Sequence, residues 1–97
     1  MSIYVVANMK VLDPSCLEAY GAIAGPLVKQ YGGEYVAMSA APEIVEGDWP
    51  EGFQTIILKW PSREAFRAFW DSPEYARAKE IRKGKVILHN VILDAAG

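Results

Sequence analysis

The stretch "IYVVANMKV", Ile3–Val11, decides the fold, because it is apolar on both of its faces. Ile3, Val5, Ala7 and Met9 share one parity, and Tyr4 and Val6 share the other. Such a β-branched, aromatic-rich run reads as a strand covered on both sides. Whatever completes the domain must therefore supply two layers against this strand.

Downstream of it, Asp13 can cap a helix and Pro14 suits a first helical turn. Leu17, Tyr20, Ala24, Leu27 and Tyr31 follow at helical spacing, so one stripe faces a core. Gly25-Pro26 predicts a kink, since proline removes a backbone donor and crowds the preceding turn, and Gly32-Gly33 predicts the helix end. "GEYVAMSA", residues 33–40, reads as a second strand. "PEIVEGDWPEG" reads as an irregular connection with a short extended piece at Glu43 to Glu46, and "FQTIILKW", Phe53–Trp60, as a third strand.

Ser62 caps a second helix whose core stripe is Phe66, Phe69 and Trp70. "WDSPEY" then restarts the chain: Ser72 caps, Pro73 is a good first residue, and Glu74 carries a charge that a helix start favours. Tyr75, Ala78, Ile81 and Arg82 mark one side of this third helix, Gly84 closes it, and "KVILHNVIL" supplies a fourth strand. The order strand, helix, strand, strand, helix, helix, strand predicts an α+β, ferredoxin-like domain over residues 1–97, with helices on one face of a four-stranded antiparallel sheet. Both parities of strand four are apolar as well. No chain is left to cover the second face, so the pattern predicts a homodimer whose sheets meet face to face.

Composition narrows the chemistry. The chain has 97 residues, 52% of them hydrophobic, and a formal net charge of −2, which argues against a nucleic-acid binder that must neutralise phosphates. No apolar run approaches the ~20 residues of a membrane span, and Met1-Ser2-Ile3 lacks the basic start of a signal peptide. The single Cys16 excludes an internal disulfide and fits a reducing, cytoplasmic setting, and one histidine makes a zinc site improbable. No phosphate loop, nucleophile elbow or metal-ligand spacing is present, so no cofactor is expected.

With these residues laid out, the chain resembles the domain of unknown function family numbered 1330. The resemblance runs through Tyr4, Asp13-Pro14, Tyr20, Gly32-Gly33 with Tyr35, "EGDWP" at Glu46 to Pro50, "PSREA" at Pro61 to Ala65, and "WDSPEY" with Arg82 behind it. It implies a ferredoxin-like fold of the dimeric α+β barrel group, whose other branches include cofactor-free monooxygenases, isomerases, cyclases, haem-binding enzymes and ligand sensors. It implies no particular reaction. Met38-Ser39, Gln54 and Lys59 stand where the family commonly carries other, charged residues, so the resemblance lends no support here to an anionic ligand.

The candidate site residues each carry a functional and a bland reading. His89 is the natural first choice for acid-base work, because imidazole ordinarily titrates near neutrality, yet it sits mid-strand on a face shared with Ile87 and Val91, lining either the helix–sheet core or the barrel interior, and equally suits a hydrogen-bonded core position. Tyr20, Trp70 and Tyr75 can line an aromatic pocket with phenols donating to a substrate oxygen, or can simply pack. Arg82 can grip a carboxylate or pair with Glu74, Asp71 or Asp48. Glu46, Asp48 and Trp49 offer paired acids and an aromatic plug in a loop, which also reads as turn chemistry. Asn8 is an amide in an apolar strand that orients a ligand or bonds its neighbours.

Three functions follow. The first is a cofactor-independent enzyme acting on an apolar or aromatic carbonyl compound, its pocket between sheet and helices or inside the dimer barrel, with His89, Tyr75 and Arg82 as its catalytic groups. The second is a module that binds or senses a small hydrophobic molecule, and the third is a purely structural dimer without an enclosed pocket of the ~300 Å³ or more that a metabolite needs.

Overall fold

The computed structural model describes residues 2–96, so Met1 and Gly97, the two ends of the expected 1–97 domain, lie outside the described residues. Strand β1 is Ile3–Val11 and is followed by a 3₁₀ turn at Pro14–Cys16 and helix α1, Leu17–Gln30. Strands β2, Glu34–Ser39, and β3, Phe53–Trp60, come next, then helices α2, Arg63–Trp70, and α3, Pro73–Arg82, and finally strand β4, Val86–Asp94. The sheet order is β2-β3-β1-β4 and every pairing is antiparallel. This is the ferredoxin-like arrangement that the element order predicts.

Pairing fixes which parity faces the helices. Ile3 and Val5 are each 3% exposed and Ala7 is 9% exposed, and they pair with Trp60, Leu58 and Ile56 on β3 and with Asp94, Ile92 and Asn90 on β4. That side meets Ala24, Leu27 and Val28 of α1, Phe66 and Phe69 of α2, and Tyr75 and Ala78 of α3. Burying large apolar side chains contributes on the order of 1.5–3 kcal/mol each, so this layer carries the fold. The opposite parity, with Val6, Ile57 and Val91, points away from the helices.

The caps read from the sequence are in place. Asp13 accepts from the Ser15 backbone N–H at 3.0 Å, Ser62 from Ala65 at 3.1 Å, and Ser72 from Tyr75 at 3.1 Å. Gly32 ends α1 with φ +91°, a left-handed conformation that glycine adopts without strain. Gly33 is needed for a different reason: a Cβ there would lie 2.8 Å from the Trp60 ring.

Helix α1 continues on both sides of Gly25-Pro26, with Pro26 inside it. Proline removes one hydrogen bond, and burial of Ala24, Leu27 and Val28 on either side holds the helix together. Two expectations need correction. The extended piece at Glu43 to Glu46 does not form a strand: this exposed loop pairs with none of the four strands of the sheet. Leu17, placed in the core stripe of α1, is 38% exposed, because the buried side of the helix begins one turn later. Among the described residues no helix is long and apolar enough to cross a membrane.

Candidate functional site

Helices α1 and α3 lean together above the sheet, and the space beneath them is a cavity of about 110 Å³, open on one side. Its floor is Val5, Ala7 and Met9 of β1 with Ile56, Leu58 and Trp60 of β3. Aromatic residues of α2 and α3 form the far wall, while Tyr35 of β2 and Leu88 and Asn90 of β4 flank it. A dry apolar cavity of about 150 Å³ takes up benzene, so this space is on the scale of one small ring. None of its lining residues is charged.

The polar feature of the wall is a pair of phenols. The hydroxyls of Tyr20 and Tyr75 lie 2.8 Å apart, so one donates to the other and the second proton remains available to a ligand. The rings meet edge to face at 6.3 Å. Burial, then the neighbouring Tyr75, raises the Tyr20 pKa far above the ordinary tyrosine value, with the Arg82 guanidinium opposing only weakly. Tyr35 is raised in the same direction by the covering of its hydroxyl and then by Tyr75. Near neutral pH both are uncharged donors, and they cannot serve as bases.

The α2–α3 joint sets this wall. Ser72, 4% exposed, accepts from the Tyr75 N–H and donates to the Phe69 carbonyl at 2.8 Å, closing α2 and opening α3 with one side chain. Tyr75 then stacks at 4.4 Å from Phe69 and 5.2 Å from Trp70. Lys79 donates to the Trp70 carbonyl at 3.2 Å while its ammonium lies 4.6 Å above the Trp70 ring, pinning that ring in the wall. Arg82 stands behind Tyr20, 5.8 Å from its ring, with its Nε buried and unpartnered among the described residues.

The structure thus brings Tyr20, Trp70 and Tyr75 together on one cavity. It does not bring His89 there: His89 is on the outward parity of β4, exposed, stacked 6.0 Å from Phe53. Asn8 shares that outward face, where it pairs across the strands with His89 and accepts from the Thr55 hydroxyl at 2.8 Å. Glu46 and Asp48 are exposed in the β2–β3 loop, and Trp49 donates to the Phe53 carbonyl at 3.4 Å. None of these five lines the cavity, nor does Arg82. Sequence reasoning missed Asn90 and Tyr35, which do. Asn90 shares a parity with Leu88 and Ile92, but both parities of β4 are apolar, and only the pairing of Asn90 with Ala7 reveals which faces inward. Among the described residues no group of three or more His, Cys, Asp or Glu side chains converges.

Comparison with solved structures places this fold among small α+β proteins. A protein of unknown function from Rhodopseudomonas palustris is 20% identical with a TM-score of 0.85, over 99% of this chain and 83% of that one. SnoaB from Streptomyces nogalater, described as a cofactor-independent oxygenase, is 15% identical with a TM-score of 0.70, over 99% and 94% of the two chains. A dimeric ferredoxin-like protein of unknown function from Thermobifida fusca YX is 18% identical with a TM-score of 0.65, over 98% and 92%. A comparison with curated proteins finds no match. The family model described as "Domain of unknown function (DUF1330)" matches residues 2–96, and the chain therefore belongs to that family.

Proposed function

We propose that the cavity binds a small, uncharged apolar or aromatic carbonyl compound, with the Tyr20–Tyr75 pair donating one hydrogen bond to its oxygen. The paired phenols at 2.8 Å on the wall of a largely apolar space carry this reading. A buried donor with no charged neighbour lining the cavity selects a neutral acceptor over a carboxylate. Arg82 accordingly acts behind Tyr20 and not as a carboxylate clamp.

A second reading makes the same site an enzyme. The likeness of the fold to SnoaB, a cofactor-independent oxygenase, favours it. The outward proton of the tyrosine pair would stabilise an enolate-like oxygen as charge develops on it. With His89 on the other face, the base in this reading is not His89.

The protein works as a homodimer in the cytoplasm on this proposal. Ile87, Val91 and Leu93 are 38%, 52% and 50% exposed on the outward face of β4, which a second sheet would cover, and the Thermobifida fusca neighbour is described as dimeric.

The test is calorimetric titration with acetophenone against ethylbenzene, in the wild type and in the double variant Tyr20→Phe/Tyr75→Phe, since either phenol alone keeps a proton to donate. The expected result is tighter binding of the ketone, with the preference reduced roughly three- to tenfold in the double variant, the worth of one hydrogen bond. Equal affinity for ketone and hydrocarbon in the wild type overturns the proposal. Oxygen uptake with the bound ketone separates enzyme from binder.

A further inference from the structure

Asn90 is the polar group of the cavity that neither the sequence nor the tyrosine pair accounts for. It stands on β4 with its parity toward the helices, opposite Ala7 of β1, whose methyl group leaves room beside the amide. Asn8, by contrast, spends its amide oxygen on Thr55 on the other face of the sheet. Asn90 is half-buried in the cavity lining and is not among the buried side-chain groups left without a partner, so its amide stays within reach of water or a ligand. Trp60 in the same lining is buried outright: it is 1% exposed and its indole N–H has no hydrogen-bond partner among the described residues.

The polar groups therefore come from two sides. Tyr20 and Tyr75 belong to α1 and α3, while Asn90 belongs to the sheet at the β1–β4 ladder, in a lining that is otherwise mostly apolar. Resting on the ligand-site reading above, we infer that Asn90 is a second polar contact and that the natural ligand carries two hydrogen-bonding oxygens at opposite ends of a small apolar frame. One end is an acceptor, a carbonyl, for the tyrosine proton. The other is a hydroxyl or a second carbonyl, since an amide both accepts and donates. Hydroxyaryl ketones and small quinone-like diones have this chemistry, and a hydrocarbon or a monoketone has half of it or none.

Three one-ring probes separate the cases: acetophenone, its para-hydroxy derivative, with oxygens at opposite ends, and its ortho-hydroxy derivative, with oxygens on one side. Calorimetry on the wild type is expected to give para-hydroxyacetophenone a Kd roughly three- to tenfold below that of acetophenone, with no such gain for the ortho isomer. In Asn90→Leu, which keeps the volume and removes the amide, the para advantage disappears while acetophenone binding persists. Equal affinity of the para derivative and acetophenone in the wild type overturns the inference and needs no variant. A para advantage that survives Asn90→Leu overturns it too, and one shared by the ortho isomer does the same. If the ketone preference that depends on the tyrosine pair stands while the para hydroxyl adds nothing, the tyrosine reading holds and this one fails. If no probe binds, both fall together.

Discussion

Tyr20 and Tyr75 are separated by 55 positions in the chain and meet hydroxyl to hydroxyl. Burial makes ionisation of Tyr20 costly, and the neighbouring Tyr75 raises its pKa further. The folded pKa lies above the unfolded one, so the stability this residue contributes is complete below the ordinary tyrosine value of about 10 and is lost as pH rises beyond it. Urea stability of the wild type is expected to hold level to about pH 10 and then fall. In Tyr20→Phe that alkaline fall is expected to be shallower, and an unchanged slope would show that Tyr20 ionises freely. At this scale the sequence was partly legible. Tyr20, Trp70 and Tyr75 announce themselves through helical spacing, because a helix shows its buried side directly in its period. Asn90 and His89 do not, because alternate residues of β4 differ little in hydropathy and their facing depends on pairing with β1.

Among the elements, the α2–α3 joint has the most to do per residue. Ser72 uses one oxygen for two jobs, receiving the Tyr75 amide proton and giving its own to the Phe69 carbonyl. Ser72→Ala leaves both groups without that partner in a buried place, and thermal or urea unfolding is expected to show a loss of about 1–2 kcal/mol. Because Tyr75 is the residue being capped, ketone binding should weaken beyond what that stability loss explains. An affinity equal to wild type would mean that the joint shapes the helix but not the site. The caps at Asp13, Ser62 and Ser72 were readable, since each is a local bargain between one side chain and the next turn. The extent of α1 past Pro26 was readable too, from the helical spacing of Ala24, Leu27 and Tyr31. That Glu43 to Glu46 forms no strand was not, because strand pairing depends on partners distant in the chain.

For the whole molecule, the two faces of the sheet divide the work. The helix side encloses the cavity, and the outward side carries Val6, Ile57 and Val91 around a transverse row of Thr55, Asn8 and His89. On the dimer proposal that row meets its counterpart across an apolar surface, and a charge placed beside it should separate the copies. Val91→Glu, at a position 52% exposed in the single chain, is expected to halve the mass seen by light scattering while leaving the circular dichroism spectrum intact. A wild type that is already monomeric would remove the proposed role of this face. The domain architecture was legible because both parities of β1 are apolar. The cavity's full outline was not, since its boundary is drawn by residues from seven different elements.

The strand order also imposes a timetable on synthesis. β1 emerges first and β4 last, yet Ile3 lies beside Asp94 and Val11 beside Val86 in the finished sheet. A ribosome adding roughly 5–20 residues per second leaves one flank of β1 with its N–H and C=O groups unmatched for on the order of ten seconds. During that interval the nascent chain presents a bare, apolar strand edge to every neighbour, and the protein's most exposed moment comes before its last nine-residue strand has left the exit tunnel.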